Sequence, residues 1–165
     1  MPFSFQFGKV EAVKWIRQRN PSRILDVGAG SGIYGKLLDR FKVDAIEVYE
    51  PYIEKFSLAE LYDNVIPCDA REFSSWANYE LVILGDVIQQ MNENDAAEMV
   101  NQIQSDCLMA VPYRYKQPAG GPNPFEAHVQ DDLTSEIVRQ RYPDFTLLAE
   151  NTKSGYWTKF RRLRS

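Results

Sequence analysis

The stretch Ile24-Leu25-Asp26-Val27-Gly28-Ala29-Gly30-Ser31-Gly32 decides the fold. It predicts a short apolar strand with an acid near its end, followed by glycines at every second position. Glycine lets the main chain turn sharply and leaves no side chain between the backbone and a ligand. A helix is predicted to begin at Ile33, so its N-terminus would face the same place. This pattern predicts a small-molecule cofactor held by backbone rather than by side chains.

Apolar runs alternate with helical patterns along the rest of the chain. Strands are predicted over 23–27, 43–49, 64–68, 79–84, 107–111, 145–149 and 156–161, and helices over 8–18, 33–41, 51–62, 92–104 and 132–141. Five alternations of strand and helix indicate an α/β fold with a parallel sheet, right-handed crossovers and helices on both faces. The last link, a turn predicted around Ser154-Gly155, is too short for a crossover helix, so the last two of the seven strands should be antiparallel.

The bulk composition is that of a soluble globular protein, with 44% hydrophobic and 25% charged residues in 165. We expect a single domain over 1–165 with an N-terminal helix within 1–21. A net charge of −4 does not favour non-specific binding to nucleic acid or membrane, although sequence-specific contact stays open. Cys68 and Cys107 have no histidines nearby, so no metal site is predicted. Without a signal-peptide pattern or an apolar segment of roughly 20 residues, the simplest expectation is a cytoplasmic protein.

The glycines allow several interpretations. Residues 30–36 satisfy the Gly-x-x-x-x-Gly-Lys pattern of a nucleotide triphosphate loop, but the next residue is Leu37, so the hydroxyl that would hold Mg²⁺ is missing. Residues 30–35 also fit the dinucleotide pattern Gly-x-Gly-x-x-Gly, and Glu50 follows twenty residues after the first of these glycines. A glycine turn without any ligand is a further alternative.

The last interpretation places Asp26 and the alternate glycines at the end of the first strand. Here the chain resembles the Rossmann-like (class I) S-adenosylmethionine-dependent methyltransferases, whose first motif is an acid between apolar residues followed by Gly-x-Gly-x-Gly. The family also has an acid near the end of the second strand, and Glu47 in Ala45-Ile46-Glu47-Val48-Tyr49-Glu50-Pro51 fits that position. A carboxylate there can accept both ribose hydroxyls. Glu50 is the alternative for this role.

Two later segments extend the resemblance. Cys68-Asp69-Ala70 is similar to the family's third motif, in which an Asp bonds the adenine amino group. Leu84-Gly85-Asp86-Val87-Ile88-Gln89-Gln90-Met91 is similar to the segment after the fourth strand, but the family's Glu-His pair is Gln89-Gln90 here. That departure removes a possible base. Asn123-Pro124-Phe125-Glu126-Ala127-His128 looks like a loop of small bacterial and phage-type members.

The resemblance implies S-adenosylmethionine as cofactor, in a Rossmann-like seven-stranded, mostly parallel sheet with an antiparallel last strand. The first acid would orient the methionine amino group, the second would hold the ribose and the third would hold the adenine. The cofactor-binding residues implied are Asp26, Gly28, Ala29, Gly30, Gly32, Glu47, Val48, Asp69, Ala70, Gly85 and Asp86.

Methyl transfer from a sulfonium has a neutral leaving group, so the reaction needs positioning more than acid–base help. The candidate catalytic residues are His128 and Asp86. His128, the only histidine, lies near the end of a Pro/Gly-rich candidate lid over 112–131 and could act as a general base. A surface or capping histidine is the alternative.

The acceptor is not specified by the sequence. The absence of an added domain favours a small molecule over a macromolecule, and no Asn-Pro-Pro-Tyr-type segment follows the fourth strand, so methylation of DNA base amines is disfavoured. Two other functions stay open. The chain could bind the cofactor without catalysis, or it could be a nicotinamide-dependent oxidoreductase.

Overall fold

The computed structural model describes residues 6–161, and seven strands within them form one sheet. The strands are β1 (Ile24–Val27), β2 (Val43–Ile46), β3 (Asn64–Ile66), β4 (Leu81–Gly85), β5 (Asp106–Pro112), β6 (Thr146–Glu150) and β7 (Ser154–Lys159). Their order across the sheet is β3-β2-β1-β4-β5-β7-β6. β7 runs antiparallel to both neighbours, whereas the pairs among β1 to β5 are parallel. The predicted sheet, with its antiparallel last strand, is confirmed.

Six α-helices accompany the strands in the described part of the chain. They are α1 (Lys9–Arg19), α2 (Ile33–Leu37), α3 (Pro51–Lys55), α4 (Leu58–Leu61), α5 (Glu93–Gln102) and α6 (Ser135–Arg141). The predicted N-terminal helix corresponds to α1, and residues 1–5 lie outside the described residues. The single helix predicted over 51–62 is wrong, because Ser57 has a left-handed backbone (φ 50°) that ends one helix and starts the next. The helix predicted over 33–41 ends at Leu37.

Side chains alternate between the two faces of the sheet. In β4, Val82 and Leu84 belong to one buried cluster, and Leu81 and Ile83 belong to the other. The first cluster includes residues of α5 and α6, and the second includes residues of α1, α2 and α4. β4 is buried on both faces, which explains why its sequence is continuously apolar. Helices therefore cover both faces, as predicted.

The link between the last two strands differs from the prediction. Ser154 and Gly155 were expected to form the turn, but they begin β7, where they pair with Pro112 and Val111. The turn lies between Glu150 and Ser154. There the side chain of Asn151 accepts the backbone N–H groups of Lys153 (2.8 Å) and Ser154 (3.0 Å). An Asn side chain that bonds the backbone two residues on stabilises such a turn.

The strand order positions a ligand site. β1 lies between β2 and β4. Strands β2 and β3 follow it toward one edge of the sheet, and strands β4 to β7 lie on its other side. In open α/β sheets, ligands bind beyond the carboxyl ends of the strands where the order switches in this way. Among residues 6–161, no helix is both long enough and apolar enough to cross a membrane.

Candidate functional site

A cavity of about 380 Å³ opens beyond the carboxyl ends of β1, β2 and β4. Its wall contains residues from the strand ends, from α2 and α3, and from the segment between β5 and α6. Eight of the residues named from the sequence line it, namely Asp26, Gly28, Gly30, Glu47, Val48, Gly85, Asp86 and His128. The cavity therefore lies at the switch point of the sheet and gathers residues that are up to about a hundred positions apart.

The floor of the cavity is the backbone bend after β1. The N–H groups of Gly28 and Ala29 both donate to the carbonyl of Ile46, at 2.9 and 3.1 Å. Gly28 has φ 73°, and a Cβ atom there would lie 3.0 Å from a methyl group of Val87. Any larger residue would be strained and would push into the neighbouring segment. The glycine therefore leaves this part of the cavity wall without a side chain.

Glu47 lies directly beside this bend and is 4% exposed. One carboxylate oxygen accepts the N–H of Gly30 (2.9 Å), and the other accepts the N–H of Tyr49 (2.9 Å). Burial raises the pKa of Glu47, and these two backbone bonds lower it again in part. Each carboxylate oxygen can accept a further hydrogen bond from a ligand hydroxyl. Glu50, the alternative acid, is exposed and does not line the cavity.

Asp26 is buried under the bend. Its Oδ2 accepts a hydrogen bond from the hydroxyl of Tyr62 at 2.6 Å, and the same hydroxyl accepts the N–H of Gly35 at 3.2 Å. Burial raises the pKa of Asp26 to about 7, against the opposing effect of the Tyr62 bond. A carboxyl group with this pKa is poised between its neutral and charged forms at neutral pH.

Asp86 begins the segment after β4 and has a left-handed backbone, with φ 57°. Its N–H donates to the carbonyl of Ala110 (3.0 Å), and its carbonyl accepts the side-chain amide of Gln89 (2.7 Å). These bonds hold the strained backbone in place, a pattern that is frequent at functional sites. Burial raises the pKa of the Asp86 carboxyl to about 6.

A buried lysine from α1 lies near both aspartates. Nζ of Lys9 donates to the hydroxyl of Tyr156 (3.3 Å) and lies 5.3 Å from the ring centre of Tyr34. Its positive charge lowers the pKa values of Asp26 and Asp86, while burial lowers the pKa of Lys9 itself. The sequence pattern does not indicate this role, because a lysine at the start of a helix is ordinarily exposed.

A smaller cavity of about 60 Å³ adjoins the first and is lined by Asp69 and Ala70. Asp69 accepts the N–H of Arg71 at 2.9 Å, and its carboxylate pairs with the guanidinium of Arg71 at 2.6 Å. The pairing with Arg71 holds the pKa of Asp69 below its usual range. Val48 and Phe125 line both cavities and therefore mark the boundary between them.

Two of the residues named from the sequence do not line either cavity. Ala29 is buried in the core cluster that contains α1 and α2. Gly32 faces α4, where a Cβ atom would lie 2.5 Å from a methyl group of Leu61. Direct contact of these two residues with a ligand stays a prediction, and the chain has already turned into α2 at Gly32. Their small size serves the packing of the bend.

The segment over 112–131 lies across the cavity and is fastened on both sides. On the α3 side, Oε1 of Glu126 accepts the hydroxyl of Tyr52 at 2.7 Å. On the β4 side, the carbonyl of Gln89 accepts the N–H groups of Val129 (2.8 Å) and Gln130 (3.0 Å). The segment therefore bridges the two walls of the cleft.

His128 in this segment lines the cavity. Its Nδ1 lies 2.8 Å from the carbonyl oxygen of Tyr115. Because a carbonyl only accepts, Nδ1 carries the proton, and the lone pair of the neutral ring is on Nε2. Burial lowers the pKa of His128, which favours the neutral ring. A neutral imidazole with an unprotonated Nε2 is the form of histidine that accepts a proton.

A metal site is not found among residues 6–161, where no group of three or more potential ligands gathers. The arrangement can hold a ligand with hydroxyl groups beside Glu47 and a flat group beside Asp69, and it can accept a proton at His128.

Comparison with known proteins shows similarity in structure rather than in sequence. No protein-family model matches the chain, and no curated protein matches its sequence. The N-terminal domain of EvdMO1, crystallised in the presence of SAH and D-fucose, aligns over 96% of this chain and 85% of its own, with a TM-score of 0.70 and 11% identity. The methyltransferase domain of bacterial CtHen1 aligns over 89% and 94%, with a TM-score of 0.61 and 13% identity.

An O-methyltransferase from neocarzinostatin biosynthesis, NcsB1, was solved in complex with SAH and 1,4-dihydroxy-2-naphthoic acid. It aligns over 84% of this chain and 49% of its own, with a TM-score of 0.59 and 11% identity. The strand order and these alignments agree, and the chain therefore has the Rossmann-like fold of the S-adenosylmethionine-dependent methyltransferases.

Proposed function

We propose that this protein binds S-adenosylmethionine and transfers its methyl group to a small-molecule acceptor. The observation that carries the proposal is the pairing of Glu47 with the glycine bend. A buried carboxylate bonded to Gly30 lies beside an open backbone surface at the switch point of the sheet. Hydroxyl groups of a ribose would bind such a carboxylate, and the bare backbone would accommodate the rest of the cofactor.

The residues present fit this cofactor in charge as well as in shape. The methionine end has a positively charged sulfonium and ammonium group, and the buried carboxyl groups of Asp26 and Asp86 line the same cavity. The adenine would occupy the smaller cavity beside Asp69 and Ala70. The bound cofactor supplies an electrophilic methyl group whose leaving group is a neutral thioether.

The protein's own contribution would be positioning and proton acceptance. The segment that joins Tyr52 to Gln89 across the cleft would exclude water and hold the acceptor against the methyl group. Nε2 of His128 would take the proton that a hydroxyl acceptor loses. Asp86 lines the cavity and would stabilise positive charge there rather than act as the base. The positive charge of Lys9 lowers the pKa of its carboxyl group and so makes it a weaker base.

A small acceptor is supported by two structural neighbours. The EvdMO1 domain was crystallised with D-fucose, and the NcsB1 complex contains a dihydroxynaphthoic acid. The cavity of about 380 Å³ in this chain must hold part of the cofactor as well as the acceptor. That volume favours an acceptor of small-molecule size.

Isothermal titration calorimetry with S-adenosylmethionine and S-adenosylhomocysteine tests the proposal. We expect saturable binding of both, with one site per chain, and no binding of NADH at the same concentration. Folded protein, verified by circular dichroism, that binds NADH but neither adenosyl compound would overturn it. Cofactor binding without transfer to any acceptor in a broad panel would leave only a binding module.

A further inference from the structure

We propose that the acceptor is an uncharged, multiply hydroxylated small molecule of the sugar class, methylated on a hydroxyl oxygen. This proposal rests on the proposed function and concerns the same cavity. Its first basis is the charge of the cavity wall. Among the described residues, the wall contains four carboxyl side chains and no lysine or arginine, the four being Asp26, Glu47, Asp86 and Glu126.

This distribution of charge discriminates between classes of acceptor. An anionic acceptor, such as a carboxylic acid or a phosphate ester, would be brought close to several carboxylates with no cation to pair with. Like charges at close range in a partly dry cavity repel strongly, and burial of an unpaired anion is costly. The single net positive charge of the bound cofactor and the charge of Lys9 near Asp26 and Asp86 offset only part of these four groups. The wall therefore selects against anions.

The uncharged part of the wall favours hydroxyl groups. Gln89, Gln90 and Gln117 line the cavity together with Tyr115 and His128. Amides both donate and accept hydrogen bonds, which matches the two capacities of a hydroxyl group. The Nε2 of Gln117 lies 3.4 Å from Oε2 of Glu126, so an amide and a carboxylate stand side by side. Neighbouring hydroxyls of one sugar ring could bind such a pair.

One of these amides is fixed in place. Gln89 is 1% exposed, and its Nε2 donates to the carbonyl of Asp86 at 2.7 Å. Phe125, 40% exposed at the cavity edge, offers an apolar face for the C–H side of a sugar ring.

The methyl transfer needs only the cofactor, the acceptor hydroxyl and His128. A bond forms between the acceptor oxygen and the methyl carbon while the bond from that carbon to sulfur breaks, and the bonding electron pair stays on the sulfur. The hydroxyl proton passes to Nε2 of His128 and from there to solvent. The products are a methyl ether and the neutral thioether S-adenosylhomocysteine, and no oxidant or metal is needed.

The test uses the full chain and matched pairs of acceptors. D-Galactose, D-glucose and D-mannose are each paired with the uronic acid and the 6-phosphate of the same sugar, and methylated products are measured by mass spectrometry. We expect methylation of at least one neutral sugar at a rate roughly tenfold or more above its two anionic partners. Protein that binds S-adenosylhomocysteine but methylates only anionic acceptors, or none of the neutral sugars, would overturn this proposal and leave cofactor binding intact. Failure to bind S-adenosylhomocysteine would instead overturn the proposed function.

A pair of variants tests the role of charge directly. Gln117→Lys places a cation in the cavity wall, whereas Ala119→Lys adds the same charge to an exposed position of the same segment that does not line the cavity. We expect only the first variant to lower the preference for a neutral sugar over its uronic acid. Equal effects of both variants would contradict selection by the wall. Should Gln117→Lys fold poorly, added salt must lower the preference in the unmodified protein, because screening weakens repulsion of the anion.

Discussion

The hydroxyl of Tyr62 donates to Oδ2 of Asp26 over 2.6 Å, and both side chains are buried beneath the glycine bend. The bond does not fully compensate for burial, because the pKa of Asp26 remains raised to about 7. The folded protein therefore keeps a carboxyl group at a place where its charged form is unfavourable. Such a group is expected where its charge serves a ligand rather than the fold.

The first prediction is that Asp26→Asn stabilises the free protein at alkaline pH. The folded-state pKa of Asp26 is raised, so the folded chain holds a proton from the unfolded-state pKa near 4 up to about 7. Stability is therefore lost as pH rises through that window. We expect the variant to gain about 1–4 kcal/mol in free energy of unfolding at pH 8 and little near pH 4, as measured by urea denaturation.

The matched control for this prediction is Asp39→Asn, at an exposed position outside the cavity. It should change stability by less than about 0.5 kcal/mol at either pH. The Asp26 variant should also bind S-adenosylmethionine more weakly, because it lacks the charge. Loss of stability at pH 8 in Asp26→Asn would show that the carboxylate supports the fold.

The second prediction concerns the pH dependence of cofactor binding. Asp26 and Asp86 have pKa values of about 7 and about 6, and a cationic ligand beside them lowers both. Binding must then release protons, so affinity for S-adenosylmethionine should rise from pH 5.5 to 7.5 and level off above that range. S-Adenosylhomocysteine lacks the sulfonium charge and should show a shallower rise. Calorimetry in two buffers of different ionisation enthalpy measures the proton release directly, and proton uptake would contradict the prediction.

The third prediction distinguishes the two acids near the end of β2. Glu47→Ala removes the carboxylate that accepts Gly30 N–H and, in our proposal, the ribose hydroxyls. We expect S-adenosylhomocysteine to bind roughly 10- to 100-fold more weakly, corresponding to about 1–3 kcal/mol. Glu50→Ala, at the exposed neighbouring acid, is the control and should leave affinity within about twofold. The reverse result would move the ribose site to Glu50.

The acids at the strand ends were predictable because buried strands are continuous apolar runs. Asp26, Glu47 and Asp86 follow or end such runs, and in a parallel sheet those ends share one edge. Lys9 was not predictable in this role. Its partner Tyr156 is 147 positions away, and only the packed fold brings them together. Periodicity identifies which face of a helix is buried, but it does not identify the partner across the core.

The bridge over the cleft was predictable only in outline. Composition indicated a long segment over 112–131, but the bond between Tyr52 and Glu126 joins positions 74 apart and depends on tertiary closure. The break at Ser57 was missed for a related reason. A left-handed non-glycine residue is locally unfavourable, so it is set by the packing around it rather than by its own preference.

The fourth prediction is that Tyr52→Phe weakens the attachment of the segment over 112–131 to α3. The change removes the hydroxyl that donates to Glu126 but keeps the ring that packs against Tyr49 and Phe56. A single hydrogen bond of this kind contributes about 0.5–1.5 kcal/mol. We expect S-adenosylhomocysteine to dissociate roughly 2- to 10-fold faster in stopped-flow displacement, with little change in melting temperature. Tyr49→Phe, which removes a hydroxyl from the adjacent ring, is the control, and an equal effect there would show that the bridge is not fastened by this bond.

The fifth prediction assigns the proton acceptor. His128→Asn keeps a side chain able to bond the Tyr115 carbonyl but removes the basic Nε2. With a hydroxyl acceptor found in the sugar panel, we expect kcat to fall roughly 10²- to 10⁴-fold while S-adenosylhomocysteine affinity stays within about twofold. Burial lowers the pKa of His128, so the rate of the unmodified protein should rise with pH and level off at a lower pH than an exposed histidine would give. In the His128→Asn variant, the rate should no longer rise with pH over this range. If the rate of the variant keeps the same dependence on pH, another group accepts the proton, and Asp86 also lines the cavity.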